Sequence, residues 1–340
     1  MHLSSSSGNR HPGTKETLIT TKVPCHGTRS TPYFLLLILT NLMWAFQYSG
    51  ARIATRKIGP ISVTLLPMVT ATILLGILLF ASRRKTEAKA TQGRGSFAQQ
   101  LLSFATLGII GGSVAQFCLI SGVKRSLASN ASVIVLTIPV LTAFLATVLV
   151  GEKMSRLLWV SFALAVIGVL LVSDVDWQSV QIFHGKYLGG NALILAGCCG
   201  SGFYNAFGKR LLRMFTPLEV LVYSFTIGDV VLFIPMLVWE PRAWQQLASA
   251  GPAVWLSLAT MAVFSMTIAM MLFFWVIERI KLTQAALSMY LLPVFGVLIS
   301  TVTLKERIRW QLVVGGVLVF AGTFLATRYE EYRRARESSE

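Results

Sequence analysis

Apolar residues in this chain gather in long runs, and polar residues gather in short clusters between them. A bilayer core takes about 20 predominantly apolar residues per helix. Ten stretches are long enough: 33–53, 60–82, 99–122, 127–150, 156–173, 187–208, 217–239, 252–277, 283–304 and 309–327. The pattern predicts an all-α integral membrane protein with ten transmembrane helices. The connections are short, the longest being the polar, basic segment near 83–98, so no separate soluble domain is expected.

The runs repeat. At an offset of 154 positions, Leu102, Ser103, Phe104, Ala105 and Thr106 meet Leu256, Ser257, Leu258, Ala259 and Thr260. The same offset pairs Ala115 with Ala269, Arg125 with Arg279, Pro139 with Pro293, Glu152 with Glu306 and Gly168 with Gly322. A three-residue slip, to 157, aligns Gly59 and Pro60 with Thr216 and Pro217. Each half then holds five helices, and an odd number turns the second half upside down relative to the first. Inverted repeats meeting at the midplane are the layout of secondary transporters. The expected organisation is a disordered cytoplasmic tail over 1–32, one five-helix repeat over 33–174, a second over 187–328, and a cytoplasmic C-terminal tail over 329–340.

Composition agrees. Apolar residues make up 54% of the 340 and charged residues 13%, against roughly 25% charged in soluble domains. The formal charge of +16 would suit nucleic acid on a hydrophilic surface, but here the basic residues lie between greasy runs. With the N-terminus inside, twenty of the 30 Lys and Arg fall on the inner side and ten on the outer. That split places both termini in the cytoplasm of a plasma (inner) membrane protein. The first 32 residues lack the apolar core of a secretory signal. Cys25, Cys118, Cys198 and Cys199 show no metal-type spacing and are expected to be inert.

Several short motifs recur in order: Asn41, Leu42, Met43 and Trp44 in the first helix, Gly151-Glu152-Lys153 and Lys305-Glu306-Arg307 after the fourth and ninth, and Ile167-Gly168-Val169 and Ala321-Gly322-Thr323 in the fifth and tenth. With Lys209, Arg210, Thr216 to Glu219, Tyr223 and Ser224 opening the second half, the chain over 33–327 resembles the drug/metabolite transporter superfamily, specifically two tandem EamA-type domains. The resemblance implies a ten-helix carrier for small metabolites or drugs, most often an exporter.

Ionisable groups inside a membrane are costly and mark candidate sites. Asp229 lies twelve residues past Pro217, near mid-span, with no Lys or Arg in its helix; Asp174 and Asp176 lie just beyond the fifth span. Asp229 is the proton-coupling candidate, the plain alternative being a hydrogen-bonded packing group. In the first helix Asn41, Trp44, Tyr48 and Arg52 share one stripe, matched at 157 by Cys198, Ser201, Asn205 and Lys209. Trp44, Tyr48, Arg52, Asn205 and Lys209 are substrate-binding candidates, although basic residues at helix ends also snorkel to the interface. Asn130 and Gln284 start the fourth and ninth helices, and Pro139 and Pro293 interrupt them, each at the expense of a bond to Val135 or Met289. The prolines are hinge candidates, and Asn130, Gln284 and Tyr290 join the substrate-binding set. Glu152 and Glu306 are expected to form local ion pairs at their turns, and Gly108, Gly111, Gly112, Gly315, Gly316 and Gly322 to allow close helix packing.

No GxxxxGK[ST], HExxH or GxSxG motif occurs, and Asp229 lacks a second carboxylate for aspartyl-protease chemistry. The chain is read as no enzyme, with no cofactor or metal. Its expected function is secondary active transport, with a non-transporting membrane scaffold or sensor as the alternative. The expected partners are a small-molecule substrate and the lipid bilayer, not nucleic acid, with a homodimer as a candidate assembly.

Overall fold

The computed structural model describes residues 31–83, 96–172, 178, 180–304 and 310–337, and every regular element among them is a helix. In chain order these are α1 (Thr31–Ala54), α2 (Pro60–Arg83), α3 (Phe97–Arg125), α4 (Ala128–Val135), α5 (Thr137–Val150), α6 (Arg156–Val172), α7 (Gly185–Leu211), α8 (Pro217–Trp239), α9 (Ala243–Ala248), α10 (Pro252–Arg279), α11 (Leu282–Ser288), α12 (Leu291–Leu304) and α13 (Trp310–Glu337). Six helical stretches are long and apolar enough to cross a membrane: Pro60–Ser82, Phe97–Arg125, Val133–Val150, Pro217–Trp239, Pro252–Arg279 and Leu282–Ile299. Three shorter apolar helices are Pro32–Gln47, Arg156–Val172 and Val313–Ala326. The tails before Thr31 and after Glu337, and the acids Asp174, Asp176 and Glu306, lie outside the described residues.

Local sequence explains where helices start and stop. At α8, Thr216 accepts from the Glu219 amide while Glu219 accepts from the Thr216 amide, a reciprocal cap, and Pro217 stands at the first turn where no amide partner is needed. Ser96 and Gln99 cap α3 in the same way. The turn after α5 needs a left-handed residue, and Gly151 supplies it at φ 79°.

Two helices contain a wider turn. Leu107–Val114 in α3 and Met261–Ala269 in α10 are π-helical, and Leu107 and Met261 stand 154 positions apart. The expected fourth and ninth spans are interrupted. Leu136 separates α4 from α5, and Met289 and Tyr290 separate α11 from α12, with Leu136 and Tyr290 again 154 apart. At each break the chain tightens: Leu136 N bonds Val133 O at 3.2 Å and Met289 N bonds Ala286 O at 3.1 Å. A proline three residues after Leu136, and three after Tyr290, cannot donate the bond that would continue the α-helical ladder, so the shorter i to i+3 bonds take its place.

Helices of the first half, α1 to α6, pack directly on helices of the second, α7 to α13. α3 lies against α7 and α8, α10 lies against α1 and α2, α5 lies against α7, and α12 lies against α1. α2 also packs on α8, and α6 on α13. In the last pair Gly168 and Gly315 face each other so closely that a Cβ on Gly168 would sit 2.6 Å from the Gly315 carbonyl. α7 is glycine-rich and falls outside the apolar groups; α3, α4 and α5 bury one face of it, along Gly190, Ile194, Gly197, Cys198 and Gly202.

Candidate functional site

Five helices, α1, α11, α5, α7 and α10, contact one another in a closed ring. Asn41 in α1 is fully buried, and its Nδ2 donates to Leu37 O at 2.7 Å and to Ser288 Oγ in α11 at 3.1 Å, while its Oδ1 has no partner. α11 packs on α5, and on α5 Thr142 Oγ1 accepts from Asn205 Nδ2 of α7 at 3.4 Å. α7 reaches α10 through Tyr204 and Phe274, ring centres 5.8 Å apart. α10 returns to α1 where Phe273 meets Trp44 at 5.1 Å, and where Ser265 of the π-helical turn donates to Gln47. Tyr290, 1% exposed at the break before α12, donates its hydroxyl to the Leu136 carbonyl at the break before α5, 3.1 Å away. The interruption of each half therefore touches that of the other.

Of the expected site residues, Trp44 and Asn205 lie on helices of this ring, and Tyr290 follows α11 at the break before α12. The side chains of Tyr48 and Arg52 lie outside the described set. Lys209 is placed apart: its Nζ donates to Ile277 O and, at 2.7 Å, to Ile280 O, capping the C-terminal carbonyls of α10 where positive charge is favoured. Asn130 is also engaged by protein, accepting from Gln181 N at 2.7 Å and donating to Gln181 O at 3.2 Å, with Asn191 Oδ1 at 3.4 Å. Gln284 turns toward α13 and donates to Ala326 O at 3.5 Å. Pro139 and Pro293 follow the breaks in the first turns of α5 and α12.

Asp229 is 9% exposed, deep in α8 where α2 and α3 cross it. Thr72 of α2 donates to its Oδ2 at 2.6 Å, and its Oδ1 is buried without a partner. On the preceding residue, the Gly228 carbonyl accepts from Ser113 Oγ of the α3 π-helical turn at 2.9 Å. Sequence reasoning missed Thr72, yet a signal was present: Thr72 and Asp229 stand 157 apart, the offset already used for the start of the second half.

Of the two turn carboxylates, Glu152 lies among the described residues and acts differently from expectation. Glu152 was expected to pair with Lys153. Its Oε1 instead accepts from Leu282 N at 2.7 Å and its Oε2 from Thr283 N at 2.9 Å, so it caps α11 of the other half. A pair of amides with no partner within their own helix is a better partner than a flexible neighbouring lysine, since it is fixed and already carries partial positive charge. Glu240 does the same for α2, accepting from Ile61 N at 2.8 Å, Ser62 N at 2.9 Å and Ser62 Oγ at 2.6 Å.

Two tandem helical bundles whose broken helices meet fit a carrier architecture, and comparison with known proteins decides the family. The sequence profile of the EamA-like transporter family matches residues 31–174 and again 188–328. The chain belongs to the EamA-like transporter family. It is a multi-pass membrane transporter and not an enzyme, in line with the drug/metabolite transporter superfamily. It is 27% identical over 303 residues, 89% of this chain and 95% of the other, to a protein of Streptantibioticus cattleyicolor named "Probable terminal-alkyne amino-acid exporter". It is 26% identical over 275 residues to the uncharacterized transporter YyaM of Bacillus subtilis, covering 80% of this chain and 86% of that one. An uncharacterized transporter of Archaeoglobus fulgidus matches at 21% over 297 residues, 87% of this chain and 98% of its own. A crystal structure 19% identical in sequence superposes with a TM-score of 0.71 over 89% of this chain and 98% of that one, a likeness of fold alone.

Proposed function

We propose that this EamA-family transporter is a secondary active exporter of small amphiphilic metabolites, amino-acid-like solutes among them. It works by alternating access between two inverted five-helix halves and is coupled to protons through Asp229. Ten crossings result when the six long apolar helices, the three shorter ones and α7 each span the bilayer. Both termini then face the cytoplasm of the plasma membrane, following the lysine and arginine distribution.

The observation that carries the reading is the reciprocal packing of the halves. α3 on α7 answers α10 on α1, α5 on α7 answers α12 on α1, and α3 on α8 answers α10 on α2. The π-helical turns and the breaks repeat at the same offset of 154. Interrupted helices at a repeat interface are where carriers of this type bind substrate. The ring of Asn41, Trp44, Thr142, Asn205, Ser288 and Tyr290 offers amide, hydroxyl and aromatic groups, which suit a solute with one polar end and one apolar end. The exporter name of the Streptantibioticus relative supports the direction and the amino-acid-like class.

The test is secretion. Media from cells overproducing the chain, the Asp229→Asn variant or an empty vector are compared by mass spectrometry. A small set of amphiphilic solutes is expected to rise with the wild-type chain and to rise less with the variant; identical media refute export. Reporters fused after Arg94, Lys186 and Glu340 are expected to read inside, outside and inside. An outside signal at Glu340 would overturn the inverted arrangement.

A further inference from the structure

The Asp229 site contains one hydroxyl that two acceptors compete for. Thr72 Oγ1 is 2.6 Å from Asp229 Oδ2 and 2.9 Å from Met68 O in its own helix. A threonine carries a single hydroxyl hydrogen and two acceptor lone pairs. It can donate to the carboxylate or to the carbonyl, but not fully to both.

We propose that Thr72 is the positioning residue for proton binding at Asp229, switching its hydroxyl between the two acceptors as the carboxyl group loses and gains a proton. With Asp229 ionised, Thr72 donates to Oδ2 and the bond is charge-assisted. When a proton from the aqueous phase adds to the carboxylate, the new O–H donates to the Thr72 oxygen, and the threonine hydrogen turns to Met68 O. No other bond forms or breaks. The inference rests on the proton-coupled reading above and deepens it, because it names the group that couples the proton to movement. Thr72 belongs to α2 of the first half and Asp229 to α8 of the second, and the two helices pack on each other. Charge-assisted hydrogen bonds are roughly twice as strong as neutral ones, so proton uptake loosens a tie between the halves.

The surroundings leave this pair in control. α2 brings no charged side chain short of Arg83 at its end, and α8 itself brings Glu219 and Tyr223 near its start. α3 contributes Cys118, Lys124 and Arg125, the last two in its final turn, and α10 contributes Glu278 and Arg279 in its final turn. α7 presents Tyr204, whose hydroxyl is paired with Ser224 Oγ at 2.9 Å. Ser113 donates to Gly228 O, the backbone carbonyl beside Asp229.

The experiment needs no substrate, because the proton alone is the probe. The full chain in lipid vesicles is titrated while the carboxylic-acid C=O band is followed by infrared difference spectroscopy, and the band absent from Asp229→Asn is assigned to Asp229. Replacing Thr72 by Val removes the donor to the ionised form. The midpoint is expected to move alkaline by about one pH unit, a tenfold change, while Thr72→Ser stays at the wild-type midpoint. Should the Val variant fail to fold, Thr72→Ala gives the same reading. An unchanged midpoint without the hydroxyl overturns the role of Thr72 and leaves proton binding at Asp229 standing. A spectrum with no titrating band that depends on Asp229 overturns the coupling reading itself.

Discussion

Replacing Glu152 by Ala removes the carboxylate that caps α11. Leu282 and Thr283 are fully buried, so their amides have no water to turn to once the carboxylate is gone. Hydrogen bonds to charged groups contribute roughly 1.5–3 kcal/mol each, and leaving a buried donor unpaired costs about as much again. Glu152 itself is half-exposed, which lets solvent recover part of the loss. The net cost is about 2–4 kcal/mol for Glu152→Ala and about 1–2 kcal/mol for Glu152→Gln, which keeps one acceptor oxygen. Lys153→Ala is the control and should stay within about 0.5 kcal/mol of wild type. The assay is reversible unfolding with increasing dodecyl sulfate in mixed micelles, followed by helical circular dichroism. A local ion pair at the turn would make the two alanine variants equally mild, since exposed pairs are worth roughly 0.2–1 kcal/mol. Equal, small effects for Glu152→Ala and Lys153→Ala would therefore refute the cap.

Gly168→Leu should destabilise the chain by about 2 kcal/mol or more in the same assay, because the new side chain must displace the Gly315 backbone; a neutral effect would show that α6 and α13 do not approach so closely. Lys209→Met should cost about 1–2 kcal/mol through the lost carbonyl bonds at the end of α10 while leaving apparent substrate affinity unchanged, and a selective affinity loss would return Lys209 to the binding set. Tyr290→Phe should cost about 1 kcal/mol in stability and alter transport rate more than folding, as it cuts the bond to Leu136 O; transport at the wild-type rate would count against the role of the breaks.

The helical class and the placing of the apolar helices were legible because lipid imposes a length and composition that any sequence must meet. The repeat was legible for a related reason: the prolines and glycines that interrupt or narrow helices are restricted residue types, so Pro139 and Pro293, or Gly168 and Gly322, keep their spacing visibly. What stayed hidden were partners set by tertiary contact. Lys209 sits on a polar stripe in sequence, yet its ammonium reaches two carbonyls of α10, nearly 70 residues further along the chain. Glu152 stands beside Lys153, yet a helix start in the other half is the more fixed partner. Asn130 and Gln284 resemble site residues because they are polar inside apolar runs, but Asn130 ties α4 to the segment before α7 and Gln284 ties α11 to α13. Hydropathy reports that such a group is buried and polar; it carries no information on which backbone atom meets it.

The two halves share a skeleton but not its polar decoration, and that difference bears on the proposed proton-coupled export. Equivalent positions hold Thr72 and Asp229, Leu136 and Tyr290, Tyr48 and Asn205, Thr142 and Gly296. Under the proposed alternating access, the shared skeleton is what makes two arrangements of similar energy attainable. Identical decoration would leave those arrangements equally populated, and a ligand with no preference between them shifts nothing. Only a group present in one half can make a proton favour one arrangement over the other. In the proposed reading that group is Asp229, whose counterpart Thr72 carries no charge and is its hydrogen-bond donor. In that reading the proton acts at a position where the two halves differ, threonine in one and aspartate in the other.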